Sequence, residues 1–195
     1  MNTRDFILAS VRRNQPPATE LPAIPEFGLA PADPLADFTA ALARMGGTVT
    51  ETPAADLDLF IASLFPRARV VCSATPQVRG TRALKPGSDP RALQDVDVAV
   101  VRAAFGVAET GSVWLSEREF GINALGFLSQ HLVVLLDPAA IVRDIALAYC
   151  NAAFFQSRYS VLLTGPSATA DIEGVLVRGA QGIRSLTVIP VGAPG

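Results

Sequence analysis

The segment with the richest chemistry runs from Thr164 to Glu173 and reads TGPSATADIE. It follows an apolar run, 159–163, typical of a buried strand, and the apolar residues after it are spaced as on a helix. A turn of Gly, Pro, Ser and Thr would place backbone N–H groups and hydroxyls at the start of that helix, where anions bind. The predicted ligand contacts in this segment are Gly165, Ser167, Thr169 and Asp171.

The same segment limits the kind of anion. No lysine follows Gly165 as it would in a Walker loop, which cradles nucleotide phosphates. Asp171 and Glu173 would put negative charge in the first helical turn and offset the helix dipole. We therefore predict a small polar or carboxylate-bearing ligand. The alternative is that Ser167 or Thr169 only caps the helix.

Glu109 is the candidate catalytic carboxylate. It lies in the segment 105–115, FGVAETGSVWL, where small residues surround the acid and apolar runs flank it. A carboxylate in such surroundings must be paired, exposed in a cleft, or shifted in pKa, which suits an acid, base or nucleophile. Its neighbours Thr110, Gly111 and Ser112 are predicted ligand contacts. The alternative is that Glu109 holds the backbone N–H groups of a turn.

A long loop covers residues 73–92, and its part 73–87 carries three cations, Arg79, Arg82 and Lys85, the only lysine of the chain. Long loops inside compact domains are often lids or binding loops. We predict that Ser73, Arg79 and Arg82 help to bind a carboxylate. A solvated surface loop is the alternative.

Helix and strand signals alternate along the rest of the chain. Asp33-Pro34 and Thr52-Pro53 have the pattern of helix starts, and a long helix is predicted over 138–152. Apolar runs at 69–72, 95–103 and 131–136 predict buried strands. This alternation predicts an α/β fold with a mostly parallel sheet covered by helices on both faces.

Parallel strands share one direction, so their carboxyl ends meet at one edge of the sheet. We therefore expect Glu109, Thr110, Ser167 and Thr169 to border a single cleft. Ser73 and the basic loop would lie at its rim.

Length and composition exclude several classes of protein. The 195 residues suit one domain, residues 35–195, after an N-terminal helix and a proline-rich arm, residues 1–34. A net charge of −2 argues against a nucleic-acid binder. Two distant cysteines and the single His131 fit no metal or iron–sulfur spacing. No signal peptide, spanning stretch or GxGxxG fingerprint is present, so we expect a cytoplasmic protein and no independent nicotinamide dehydrogenase.

Two of these segments resemble a known family. Residues 108–112, AETGS, resemble the AETG segment of the LutC/YkgG family, and residues 164–173 resemble its TGPSxTADIE segment. The order and separation of the two segments also fit, as does His131 at the head of the strand between them. The likeness covers roughly residues 35–190. Two departures are Gln181, near which the family often has a histidine, and Asn123, near which it often has a basic residue.

The resemblance implies a LUD (lactate utilisation) domain with a three-layer α/β/α fold similar to the NagB/RpiA/CoA-transferase group. Family members take part in oxidation of L-lactate to pyruvate beside two iron–sulfur partner proteins. The implied role is a non-redox subunit that binds a small carboxylate or its partners, with no cofactor of its own. The alternatives are a stand-alone transferase or isomerase using Glu109 as nucleophile or general base, and a purely structural assembly subunit.

Overall fold

The computed structural model describes residues 2–20, 22–23, 33–51, 56–85, 87–170 and 174–193. The α-helices of these ranges are α1 (Thr3–Arg13), α2 (Pro34–Arg44), α3 (Leu57–Leu64), α4 (Glu117–Phe120), α5 (Leu125–Leu128), α6 (Ile145–Tyr149) and α7 (Ala153–Gln156). The strands are β1 (Thr48–Val49), β2 (Val71–Ser73), β3 (Arg82–Ala83), β4 (Val98–Arg102), β5 (Phe105–Val107), β6 (Ser112–Ser116), β7 (His131–Leu136), β8 (Ile141–Val142), β9 (Ser160–Leu163), β10 (Ala168–Ala170), β11 (Leu176–Arg178) and β12 (Ser185–Pro190).

A six-stranded sheet in the order β1-β12-β7-β4-β2-β3 is the centre of the fold. Every neighbouring pair in it is parallel. Helices flank this sheet, so the fold is consistent with a three-layer α/β/α arrangement, and the predicted α/β class with a mostly parallel sheet is confirmed.

The two faces of this sheet belong to different cores because side chains alternate along a strand. Val98, Val100, Val133 and Leu135 pack with Ile61 of α3 on one face. Their neighbours on the same strands pack on the other face into the larger cluster, which includes two residues of α2; these strand residues are Ala99, Val101, Leu132, Val134 and Leu136.

A second sheet, in the order β8-β5-β6-β9, packs into the larger cluster through Val113 and Leu115. Both β5 and β9 run antiparallel to β6. Only residues 108–111 connect β5 to β6, and so short a link permits a hairpin but not a parallel crossover. The strands that precede the Glu109 loop and Gly165 therefore flank β6 in this second sheet, and the expectation that they belong to the parallel sheet is wrong.

Local capping explains where helices begin. Asp33 caps α2 through bonds from the N–H groups of Leu35 and Ala36, as its sequence pattern predicts. The second predicted start, Thr52-Pro53, lies outside the described residues, and α3 begins after its N-cap Asp56.

The long helix predicted over 138–152 is wrong. The chain forms a short 3₁₀ turn at Pro138–Ala140, strand β8, and then α6. Asp144 caps α6 by accepting a bond from Leu147 N–H, which starts a new helix in the middle of the predicted one. Over the described ranges, the chain has no helix that is both long and apolar enough to span a bilayer.

Candidate functional site

The turn after β9 leads into a β-hairpin, so the helix predicted to begin near Thr169 is wrong. β10 pairs antiparallel with β11, from Ala168↔Arg178 to Ala170↔Leu176. All six strand residues are exposed, and a helix here would therefore have no buried face. β-branched residues on both sides of Gly174 favour a hairpin over a helix. Asp171 and Glu173 lie outside the described residues.

Ser167 and Thr169 lie in this hairpin. The backbone N–H of Ser167 donates to the Ile183 carbonyl, and the Ser167 carbonyl accepts from Gly179 N–H. Ser167 therefore fastens the base of the hairpin, while Thr169 is exposed on β10, opposite Val177.

The two segments singled out in the sequence meet through three hydroxyls. The Oγ of Ser112 is hydrogen-bonded to the Oγ1 of Thr110 at 2.7 Å and to the Oγ1 of Thr164. The antiparallel register of β6 and β9, with Val113 opposite Leu163, brings these turns together. Ser112 is only 4% exposed. The three hydroxyl groups therefore have one another as hydrogen-bond partners inside the protein.

The glycines of both segments are required by close packing against the end of α2. Gly111 has φ +69°, and a Cβ there would lie 2.2 Å from the backbone nitrogen of Leu42. Gly165 has φ +75°, and a Cβ there would lie 2.6 Å from the carbonyl oxygen of Met45. Positive φ and a close backbone approach are the two conditions that favour glycine. These turns therefore fasten the second sheet to α2.

Glu109 accepts a hydrogen bond at the start of α6, whose N-cap residue is Asp144. The Oε2 of Glu109 accepts a bond from Ile145 N–H at 3.0 Å, and its own N–H donates to the Arg143 carbonyl. Its side chain is exposed, so the prediction of a carboxylate confined in a cleft is wrong. The geometry matches the alternative, in which Glu109 holds the backbone N–H of a neighbouring turn.

Replacing Glu109 should therefore affect stability through this hydrogen bond. Glu109→Gln keeps an acceptor oxygen and should change the free energy of unfolding by less than about 0.5 kcal/mol. Glu109→Ala loses the acceptor and should cost about 1 kcal/mol. Urea denaturation measures both, and the exposed Glu20 gives a control pair, Glu20→Gln and Glu20→Ala, expected to be neutral. A Glu109→Gln protein as unstable as Glu109→Ala would contradict this role.

The basic loop lies at the opposite edge of the six-stranded sheet from the Gly111 and Gly165 turns. Arg82 is on β3, the edge opposite β1, and five strand spacings amount to about 24 Å. Gly111 and Gly165 contact the end of α2, which leads directly into β1. The prediction of one cleft with the basic loop at its rim is therefore wrong.

The polar groups of that loop are also engaged locally. Both terminal nitrogens of Arg82 donate to the Asp95 carboxylate at 2.6 Å, and this bond holds the pKa of Asp95 below its ordinary value. The backbone N–H of Arg79 donates to Asp58, and the Ser73 hydroxyl donates to the Thr75 carbonyl. The guanidinium of Arg82 is thus already paired with a carboxylate of the protein.

Open space occurs at the carboxyl ends of the parallel strands. We name this space the carboxyl-edge cleft; it has a volume of about 380 Å³ and is lined by Ala74, Thr75, Pro76, Arg102, Ala103, Ala104, Glu119, Asp137, Ala140 and Ala193. Ligands of open α/β sheets bind at such an edge.

Arg102 is the cation of this cleft. Its Nη1 donates to Gln77 Oε1 at 2.6 Å, and its Nη2 donates to the carbonyls of Val191 and Gly192. A guanidinium has five N–H donors, so the Nε donor and one Nη1 donor have no hydrogen-bond acceptor among residues whose structure is described. Glu119 and Asp137 add two carboxylates to the same walls.

A second space, the amino-edge cleft, lies at the opposite ends of β4, β7 and β12. Its volume is about 420 Å³, and it is lined by Leu64, Phe65, Pro66, Arg67, Ala68, Asp97, Gln130, His131 and Arg184. The Nδ1 of His131 is hydrogen-bonded to the Ser185 Oγ at 2.8 Å. Burial and the nearby charge of Arg184 lower the pKa of His131, and Asp97 opposes them.

A third cleft, of about 370 Å³, lies between α3 and β2 and includes Arg79. Of the ligand contacts predicted from the sequence, and within the ranges described, Arg79 alone lines one of these three clefts. The roles predicted for the others in ligand binding stay predictions.

The model of the LUD domain family matches residues 88–191, more than half of the chain. The chain belongs to the LUD domain family. A curated relative is Lactate utilization protein C of Deinococcus radiodurans, 29% identical over 174 residues, which cover 84% of this chain and 82% of the relative.

A solved structure supports the fold of this LUD domain. The crystal structure of a DUF162 family protein from Deinococcus radiodurans matches with a TM-score of 0.62 over 82% of this chain and 96% of that chain. The two sequences are 21% identical, so this likeness concerns the fold alone.

The segment that matches the family model contributes lining residues to both edge clefts of the LUD domain. These residues include Arg102 and Asp137 in the carboxyl-edge cleft and His131 and Arg184 in the amino-edge cleft. Arg102 and Asp137 were not among the candidate site residues predicted from the sequence. A signal for both was present, because Asp137 directly follows a predicted strand and Arg102 ends one. Residues at the carboxyl ends of parallel strands are the ones that an α/β fold brings to its binding edge.

Proposed function

We propose that this LUD domain protein is a component of an L-lactate utilisation system that oxidises lactate to pyruvate. The observation that carries the proposal is the alignment with Lactate utilization protein C over 84% of this chain. That alignment covers most of both proteins, so it is not restricted to a shared segment.

In this proposal the chain is a non-redox subunit, and iron–sulfur clusters belong to partner proteins. Protein [4Fe–4S] and [2Fe–2S] clusters are held by four cysteines in their commonest form, and this chain has two. Cys72 is buried in β2 and Cys150 is exposed after α6. Electron transfer from lactate would thus use the clusters of the partners.

We further propose that the carboxyl-edge cleft binds the small carboxylate. A 2-hydroxy acid such as lactate offers a carboxylate and a neighbouring hydroxyl donor. A remaining N–H donor of Arg102 can form a charge-assisted hydrogen bond with the carboxylate. Glu119 or Asp137, on the same walls, can accept the hydroxyl proton in a hydrogen bond. The cleft has room for a ligand of this size.

The alternative of a stand-alone enzyme using Glu109 receives no support from the site. The Glu109 carboxylate already accepts a backbone N–H of α6 and lines neither edge cleft.

Deletion of the protein from its native cell should abolish or impair growth on L-lactate and leave growth on pyruvate unchanged. Returning the wild-type chain should restore growth, and returning Arg102→Gln should not, because the neutral amide cannot form charge-assisted bonds. Such bonds contribute about 1.5–3 kcal/mol each, so lactate affinity measured by calorimetry should fall about tenfold or more.

Two matched variants separate charge from folding in this experiment. Arg102→Lys keeps the positive charge and should retain part of the affinity, while Arg91→Gln removes an exposed arginine outside the cleft and should behave as wild type. Equal growth of the deletion strain on both carbon sources rejects the lactate role. Unchanged lactate affinity in a folded Arg102→Gln protein rejects the cleft assignment alone.

A further inference from the structure

The amino-edge cleft has the charge of an anion site. Two arginines, Arg67 and Arg184, line it, and neither forms an ion pair within the described ranges, where the recorded pairs are Arg82–Asp95 and Arg143–Asp144. Asp97 is the one carboxylate among its lining residues. With His131 neutral, the lining carries a net positive charge, although the whole chain carries −2.

The Asp97 carboxylate is committed to the fold. Its Oδ2 accepts the backbone N–H groups of Arg69 at 2.7 Å and Val70 at 2.9 Å. These bonds lower the pKa of Asp97, so it stays ionised and fixes the start of β2 beside β4. It does not neutralise either arginine by direct contact, and both guanidinium groups are available to a ligand.

His131 is held in a fixed orientation with one nitrogen available. Its Nδ1 is bonded to Ser185, and its ring lies against Phe65 with 5.0 Å between centroids. Its Nε2 has no hydrogen-bond partner among the residues that the structure describes. A half-buried imidazole nitrogen without a partner in a cleft is a polar group that a ligand can satisfy.

The remaining wall is apolar and contains Leu64, Phe65, Pro66 and Ala68. It comes from the end of α3 and the turn after it, and it faces the strand ends that carry the polar groups. A volume of about 420 Å³ exceeds what an inorganic ion needs and lies in the range of organic-ligand sites.

We propose that the amino-edge cleft binds an organic anion that joins a carboxylate or phosphate group to an apolar body. Arg67 and Arg184 hold the anionic group, His131 Nε2 forms a hydrogen bond with it, and the apolar body packs on Phe65, Leu64 and Pro66. The site lies at the opposite end of the strands from the carboxyl-edge cleft and does not rest on the lactate proposal.

The single histidine makes the test direct. The imidazole protons give one set of NMR signals in the whole chain, and their titration reports the pKa of His131. Arg184 disfavours protonation of the ring and Asp97 favours it, and Arg67 is the other charged group that lines the cleft. An anion bound beside the ring favours the charged form. Saturating benzoate or phenyl phosphate should therefore raise this pKa and shift the signals along a saturable curve.

Two further probes separate the parts of the ligand. Acetate carries the charge without the apolar body, and benzyl alcohol carries the apolar body without the charge. Each should bind at least about tenfold more weakly than benzoate, a difference of about 1.4 kcal/mol. Equal responses to acetate and benzoate at matched ionic strength would overturn the proposal.

Arginine variants complete the test. Arg67→Gln and Arg184→Gln should each weaken benzoate binding at least tenfold and leave the fold intact, because both side chains are exposed. Arg184→Gln should also raise the pKa of His131 in the free protein. Arg91→Gln, which lies outside the cleft, should bind benzoate as the wild type does. Undiminished benzoate binding in a double Arg67→Gln, Arg184→Gln protein would refute the site.

Discussion

Gly111→Ala is expected to destabilise the protein by at least about 4 kcal/mol, a loss of the size that backbone conflict or core disruption produces. The new Cβ would lie 2.2 Å from the nitrogen and 2.6 Å from the Cα of Leu42, and backbone atoms cannot move aside as a flexible side chain can. The positive φ of 69° adds about 1–2 kcal/mol of strain for a non-glycine residue. Urea denaturation followed by circular dichroism measures the loss.

Gly87→Ala is the matched control for this substitution. Gly87 has φ +76°, but a Cβ there meets no atom within 4 Å. Gly87→Ala should therefore lower the free energy of unfolding only by the strain of the left-handed conformation, about 1–2 kcal/mol. Equal losses at Gly111 and Gly87 would show that the turn does not need its close approach to α2.

Phe38→Ala should have the second largest effect, a loss of about 3–5 kcal/mol in the free energy of unfolding. Phe38 is 0% exposed and belongs to the larger cluster together with residues of both sheets. Its removal would leave a cavity between α2 and strand β5, because its ring lies close to Gly106. Thermal unfolding and urea denaturation should agree on the loss.

The same substitution on α1 provides the control. Phe6 is 56% exposed, and none of the residues of α1 is buried. Phe6→Ala should change stability by less than about 0.5 kcal/mol. A loss at Phe6 as large as that at Phe38 would mean that α1 packs on the domain in solution.

These two helices show what local sequence can and cannot predict. Both α1 and α2 have an amphipathic pattern and capping side chains, and both form as predicted. Whether the apolar face meets a core depends on distant residues, and the pattern of a single segment does not contain that information. The existence of these two helices was therefore predictable, while their burial was not.

The strands show the same limit. Buried apolar runs predicted the parallel strands β4 and β7 correctly. The pairing of β6 with β9 depends on residues far along the chain, and run length alone does not distinguish parallel from antiparallel strands. At 168–178 the apolar spacing suggested a helix, while β-branched residues and Gly174 favoured the hairpin that forms.

The role of Glu109 could not be predicted from its neighbours in the sequence. Its partner, the N–H of Ile145, lies 36 residues later in the chain. The sequence predicted that the segments around Glu109 and Thr164 would interact, and they do meet through Ser112. Their contact is structural, because the glycines pack against α2 and the hydroxyls hydrogen-bond to one another. The two edge clefts instead open at the two ends of the parallel strands.

The position of β12 between β1 and β7 has a consequence for synthesis of the chain. β1 has no partner strand until Ser185–Pro190 is made, since its only neighbour in the described sheet is β12. On the ribosome, β1 must therefore wait until residues 185–190 are made, and β7 has one unpaired edge until then. Pairings so distant in sequence slow folding, and unpaired edges promote aggregation. The last strand thus completes the sheet only after its residues have left the exit tunnel.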